Sequence, residues 1–174
     1  MNRGGLKPVD DRKIVERVLK GDAEAFNLLV RRWEKPIYNF ILRMIGDRDD
    51  AMDLCQDAFM KAYRELSTPK DLDRFSSWLY RIAHNTCFSQ LRKERGKTFV
   101  EIDAETHGSR TPIENRLAVE KALEHLPEDQ REVVVLKVFQ GLKFEEIAVI
   151  QGAPVSTVKS RLYMAFEKLR SILE

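Results

Sequence analysis

The chain has 174 residues, 43% hydrophobic and 33% charged, with a formal net charge of +2. That make-up excludes a disordered or fibrous chain and leaves room for one domain or two small ones. No run of about 18 apolar residues offers a membrane span, and the N-terminal "MNRGGLKPVDDRK" lacks the apolar segment of a secretory leader, so the expected location is the cytoplasm.

Charge is uneven along the chain: net +4 over residues 1–95, −1 over 96–111 and −1 over 112–174. Any nucleic-acid contact in the C-terminal part must therefore rest on a few well-placed cations, because no broad basic field exists there. Cys55 and Cys87 sit at apolar helical positions without CxxC spacing and are expected as buried reduced thiols. His84, His107 and His125 have no ligand spacing, and no nucleophile–base set is visible. Neither metal, cofactor nor enzymatic activity is expected.

From residue 10 to 95 the apolar residues keep a helical period: Val15, Val18 and Leu19; Phe26, Leu29, Val30 and Trp33; Ile37, Phe40, Ile41 and Met44. In "DRDDAMDLCQDAFMKAYREL" (47–66), Ala51, Leu54, Cys55, Ala58, Phe59, Ala62, Tyr63 and Leu66 form a complete apolar stripe. The opposite face carries Asp50, Asp53, Gln56, Asp57, Met60 and Lys61, a mostly acidic strip with an outward methionine. It suits a basic helical partner, or it is a solvated face with acids favouring a helix N-terminus.

In "RFSSWLYRIAHNTCFSQLRKER" (74–95), Phe75, Trp78, Leu79, Ile82, Ala83 and Thr86 are expected inward. Tyr80, Arg81, His84, Asn85, Phe88 and Arg92 are expected outward, where rings, an amide and cations would suit single-stranded nucleic acid. An ordinary basic helix face is the alternative. "GKTFVEIDAETHGSRTP" (96–112) has no sustained period and reads as a linker.

Helical patterning resumes at Ile113. "VVVLKVF" (133–139) is β-branched enough for a strand, yet Pro127 with Glu128 and Asp129 opens a helix and Gly141 stops one, so helix is expected. Then "LKFEEIAVIQGAPVSTVKSRLYMAF" gives a short helix, a turn at Gly152 and a second helix that Ser156 can cap. This is helix-turn-helix grammar, though a plain helical hairpin has the same period. Val158, Leu162, Ala165, Phe166 and Leu169 share the core face; Thr157, Ser160 and Met164 point away, with Lys159 and Arg161 at the shoulders.

Taken in order, "DDAMDLCQDAFMKAY", "FSSWLYRIAHNTC", "LPEDQREVVVLKVFQGLKFEEIA" and "PVSTVKSRLYMAFEKLR" resemble a bacterial RNA polymerase sigma factor of the extracytoplasmic function (ECF) group, with regions 2 and 4 only. The resemblance spans about residues 10–170. It implies an all-α fold of two small helical domains, region 2 over 10–95 and region 4 over 113–174, joined by a flexible linker over 96–112. It implies a transcription initiation factor that binds core RNA polymerase and promoter DNA under the control of an anti-sigma factor, soluble or membrane-bound, with no membrane insertion of its own.

On these residues the resemblance implies that Asp53, Gln56 and Asp57 grip the clamp helices of the largest polymerase subunit, the flap being a second polymerase contact. Tyr80, Arg81, His84 and Asn85, with the loop "STPKDLDR" (67–74), would open the minus-10 element. Thr157, Lys159, Ser160 and Tyr163 would read the minus-35 element, while Arg161 and Lys137 hold phosphates. The linker, with Glu101, Asp103 and Glu105, would thread the polymerase near the RNA exit path. Two departures stand out: the loop has Pro69, Lys70 and Leu72 where an aromatic and a glycine are frequent, and Met164 replaces a cation. A sigma-like mimic that sequesters an anti-sigma factor and a simple helix-turn-helix repressor are the competing readings.

Overall fold

The structure, a computed structural model, describes residues 10–66, 74–95 and 112–174. The loop at 67–73 and the linker residues 96–111 lie outside the described residues, and with them the expectations attached to Pro69, Lys70, Leu72, Glu101, Asp103 and Glu105. Every described element is helical: α1 (Asp11–Leu19), α2 (Ala25–Ile45), α3 (Arg48–Glu65) and α4 (Phe75–Glu94) form an N-terminal half. A C-terminal half holds α5 (Pro112–Glu124), α6 (Glu128–Val134), a π-helical turn (Val135–Phe139), α7 (Phe144–Gln151) and α8 (Val155–Leu173).

In the N-terminal half α2 is the central post. Leu29, Ile37, Phe40, Ile41 and Met44 are fully buried on it, and α1, α3 and α4 pack around it. Asp47 caps α3 by accepting from the backbone N–H groups of Asp49 and Asp50 (2.9 Å each), and those two acids face the positive end of the helix dipole. The stripe expected on α3 is buried at Ala51, Cys55, Ala58, Phe59, Ala62 and Leu66, but Tyr63 lies largely exposed, its ring edge-on to Phe26 at 5.0 Å. Leu19, expected with Val15 on the core side, is exposed at the end of α1. Both cysteines are buried free thiols, and burial pushes the Cys55 thiol up to about 11, so neutral pH leaves it protonated and inert.

The β-branched run is helical, as Pro127 and Gly141 require. Its last turn widens into the π form, with Gln140 N–H reaching the Val135 carbonyl at 3.0 Å. α7 opens with the Glu146 carboxylate accepting from Lys143 N–H (2.7 Å) and ends at Gly152, whose φ of 61° is a left-handed turn that a side chain would strain. The helix-turn-helix follows as expected, except at the cap. Pro154, with φ −60° and ψ 149°, precedes the first turn of α8 and no side chain caps it; Ser156 lies inside the helix. On α8, Val158, Leu162, Ala165 and Leu169 are buried, whereas Phe166 is 45% exposed because it falls past the edge of the stripe that α6 and α7 cover.

The two halves touch. α4 packs on α7, and α2 packs on α5, α6 and the π turn. Arg131 is central to the joint: its guanidinium donates to the carbonyls of Leu123 (2.9 Å), Glu124 (2.9 Å) and Leu126 (3.3 Å) at the end of α5, and to Met44 (2.7 Å) at the end of α2. Burial pulls its pKa down while Glu124 and Glu128 push it back up, and the group stays charged. Those carbonyls cluster at two helix ends, where acceptors run short of backbone donors, and a fork of N–H donors reaches them at once. Replacing Arg131 with Ala should therefore cost roughly 2–4 kcal/mol in urea unfolding, since buried acceptors lose a charged donor. A loss under about 1 kcal/mol would mean that water replaces the guanidinium.

Candidate functional site

Three surfaces carry the expected site residues. On α3, Asp53, Gln56 and Asp57 are all exposed, with Met52 and Met60 beside them, as the period of the stripe requires. The same helix start is electrostatically crowded. Asp50 is held above the usual carboxylate range by loss of water and then by the carboxylates of Asp47, Glu94, Asp53 and Asp49. Such a strip repels itself, and a cationic partner relieves the repulsion. Next to it lies an open groove of about 520 Å³ lined by Phe26, Val30, Phe59, Met60, Tyr63 and Arg64.

On α4 the outward set splits. Arg81 and Asn85 are exposed, but Tyr80 is 2% exposed and correction is needed there. Its ring stands edge-on to Trp33 (6.1 Å) and Phe40 (5.7 Å), and its hydroxyl donates to Gln140 Oε1 at 2.8 Å. Burial pushes the phenol pKa up. His84 is also turned from solvent: its side chain is 17% exposed, its ring lies 4.3 Å from Phe88, and Nδ1 donates to Glu132 Oε1 at 2.6 Å. Helical phase placed both residues outward; the Tyr80 ring instead packs on Trp33 and Phe40 of its own half with Gln140 meeting its hydroxyl, and His84 meets Glu132 of the C-terminal half.

On α8, Lys159, Ser160 and Tyr163 are exposed, Tyr163 by 72%, while Thr157 is half-buried. The Ser160 hydroxyl donates to the Ser156 carbonyl (3.1 Å), and the Lys159 ammonium lies 5.5 Å from the Phe144 ring. Arg161 departs from expectation. Its Nε pairs with Asp129 at 3.0 Å and its Nη1 donates to Gln151 Oε1 at 2.9 Å, so the fork expected on phosphate is turned inward. Lys137 is also engaged, donating to the Leu142 carbonyl (3.1 Å) with its ammonium 4.5 Å from the Phe144 centroid.

Sequence reasoning did not single out Glu132, Gln140 and Gln151. Glu132 is 0% exposed, and its second oxygen accepts from Gln151 Nε2 at 2.9 Å. A lone acid beside the apolar run "VVVL" was the available signal. No group of metal-binding side chains occurs among the described residues, and no helix there is long and apolar enough to cross a membrane.

An all-helical chain ending in a helix-turn-helix, with a separate acidic helix face, has the build of a DNA-tethering factor with two working halves. Residues 29–97 match the model of Sigma-70 region 2 and residues 116–169 that of Sigma-70 region 4. The RNA polymerase sigma-H factor of Pseudomonas aeruginosa is 36% identical over 97% of this chain and 96% of its own. The ECF RNA polymerase sigma-E factor of Escherichia coli K12 is 38% identical over 91% and 92%. Two solved structures share the fold at 28% identity. CnrH in complex with the cytosolic domain of CnrY has a TM-score of 0.75, covering 94% of this chain and 97% of that one. The sigma factor RpoE in complex with the anti-sigma factor NepR from Bartonella quintana has a TM-score of 0.71, covering 85% and 96%. The chain belongs to the sigma-70 family as an ECF-type sigma factor, a transcription initiation factor.

The inward fork of Arg161 has a measurable consequence. Arg161→Ala should lower stability by roughly 1 kcal/mol, a charge-assisted contact discounted for partial exposure, and leave the salt dependence of promoter binding unchanged. A slope shallower by about one unit would return the guanidinium to the phosphates.

Proposed function

We propose that this sigma factor docks on core RNA polymerase through Asp53, Gln56 and Asp57, reads the minus-35 element with Lys159, Ser160 and Tyr163, and opens the minus-10 element with the face of α4 that carries Tyr80, Arg81, His84 and Asn85. The observation that carries the reading is the exposure of Lys159, Ser160 and Tyr163 along the first turns of α8, directly after the Gly152 turn. In a helix-turn-helix those turns meet base edges in the major groove. Lysine suits the O6 and N7 acceptors of guanine, serine fits either donor or acceptor, and the tyrosine ring offers an apolar face to a thymine methyl.

The polymerase does the rest by tethering. Residues 112–174 carry a net charge of −1, too little cation for tight binding alone. Once both halves ride on one polymerase, the second DNA contact becomes intramolecular. Opening the duplex needs no bond chemistry: extruding a base costs a few kcal/mol, offset by stacking and pocket contacts. We take the two working units as 10–95 and 113–174, the first running to just past the end of α4 and the second from the start of α5. The NepR complex of the Bartonella protein supports control of this chain by an anti-sigma factor.

Two experiments test the reading. In transcription with core polymerase and a panel of minus-35 variants, Lys159→Ala and Ser160→Ala should reorder the preferred sequences at about 1–3 kcal/mol per lost base contact. An unchanged ranking would make that face plain surface. Separately, Asp53→Lys combined with Asp57→Lys should abolish core binding while thermal unfolding stays nearly unchanged, because both carboxylates are exposed on a helix whose apolar stripe is intact. Wild-type affinity for core would remove the strip from the interface.

A further inference from the structure

The chain segment that enters the helix-turn-helix is fastened to the π turn from two sides. The Leu142 backbone N–H donates to the Leu136 carbonyl at 3.0 Å, and the Leu142 carbonyl accepts from Lys137 Nζ at 3.1 Å. One residue further on, Lys143 N–H donates to the Glu146 carboxylate at 2.7 Å. Phe144, the first residue of α7, follows these two anchored residues directly, and α7 packs on both the π turn and α8. Its ring is half-buried at that junction.

Two ammonium groups from different elements share the ring. Lys137 Nζ of the π turn lies 4.5 Å from its centroid, and Lys159 Nζ of α8 lies 5.5 Å away. A ring face attracts a cation within about 6 Å through its quadrupole. The two lysines differ in what they have left to offer. Lys137 is half-buried and gives a donor to the Leu142 carbonyl, whereas Lys159 is exposed on the outward side of α8. A ring face can hold an ammonium without taking up its three N–H donors as an oxygen acceptor does, so Lys159 is aimed and still has donors for the acceptors of a base. A lysine stem left to itself samples many rotamers, and fixing it on binding lowers affinity. Aiming it beforehand removes part of that cost.

We propose that Phe144 is a positioning residue for minus-35 recognition: its ring, set in place by the π turn, holds the Lys159 ammonium at the height of the base edge that Lys159 reads. Phe144 has this role only through Lys159, so it rests on the base reading proposed above. The π turn thereby reaches the recognition helix through one aromatic side chain, and a residue that touches no DNA sharpens the choice of base pair.

The test uses the full-length protein assembled with core RNA polymerase, transcribing a mixed panel of promoters that differ in the minus-35 element, with circular dichroism to follow helicity. Phe144→Leu should keep its helicity and weaken discrimination by about two- to fivefold at the base pair that Lys159→Ala also relaxes, the size of a partly exposed contact between an ammonium and a ring. Phe144→Tyr, which keeps the ring, should discriminate as the wild type does. In the Lys159→Ala background, Phe144→Leu should add nothing to the change in ranking. Should Phe144→Leu lose helicity, Phe144→Met takes its place, filling a similar volume without a ring face. Activity that falls equally on every promoter, or a ranking that shifts as much without Lys159 as with it, reduces Phe144 to packing and overturns the proposal. An unchanged ranking in Phe144→Leu beside a reordered one in Lys159→Ala also overturns it, while base reading by Lys159 stands. An unchanged ranking in both removes the base reading, and the role of Phe144 with it.

Discussion

A carboxylate without access to water organises the joint of this molecule. Glu132 sits at the head of a run of buried valines, and its two oxygens must be satisfied from two directions. From one side comes His84 of α4. From the other comes Gln151, which also accepts from Arg161 of α8, and Arg161 pairs in turn with Asp129 of α6. The ends of α6, α7 and α8 are thereby tied through side chains rather than through apolar contact alone. One residue earlier, Arg131 satisfies the carbonyls at the ends of α5 and α2. Adjacent residues of α6, opposite in charge, hold the C-terminal half together internally and fix it against the N-terminal half.

This arrangement sorts the cations of the C-terminal half into two kinds. Arg161 and Lys137 have donors engaged by protein acceptors, contacts that brace α8 and the π turn. Lys159 has its charge in solvent near a ring face, free to meet a base edge or a phosphate. Arginine suits the inward task because its rigid fork reaches Asp129 and Gln151 at once, and lysine the outward one because its flexible stem adapts. An outward cation and an inward one are thus separated by two residues on one helix.

The sequence made the stripes legible and left the seam hidden. The apolar period of 47–66 placed Asp53, Gln56 and Asp57 on the exposed face, and Gly141, Gly152 and Pro127 marked the breaks, because those signals are local. The β-branched run at 133–139 misleads on propensity, and its flanking stop signals outweighed that. Tyr80 and His84 were placed outward, yet the Tyr80 ring packs on Trp33 and Phe40 of α2, and the polar partners that meet Tyr80 and His84 lie 60 and 48 residues further on. The inward turn of Arg161 was hidden for a related reason, since Asp129 is on another helix. Phe166 shows the limit of phase alone: at the margin of a stripe, what covers the helix decides burial, and Tyr163 at 72% exposure and Leu162 in the core differ by one step of 100°.

Magnitudes decide how firmly the halves can hold. The hydrogen bonds and partly exposed ion pairs of the seam, at about 0.5–1.5 kcal/mol net each, come on top of the apolar packing of α4 on α7 and of α2 on α6 and the π turn. Reversing a two-state equilibrium from 1:99 to 99:1 takes about 5.5 kcal/mol of differential binding. The self-repelling strip on α3 lies away from the seam, so a cationic partner can engage it in either state and gains no leverage from that contact alone. Leverage comes only from contacts that the closed chain cannot make. Those are the surfaces under α6, the π turn and α7, and a ligand that needs them must displace the packing that covers them.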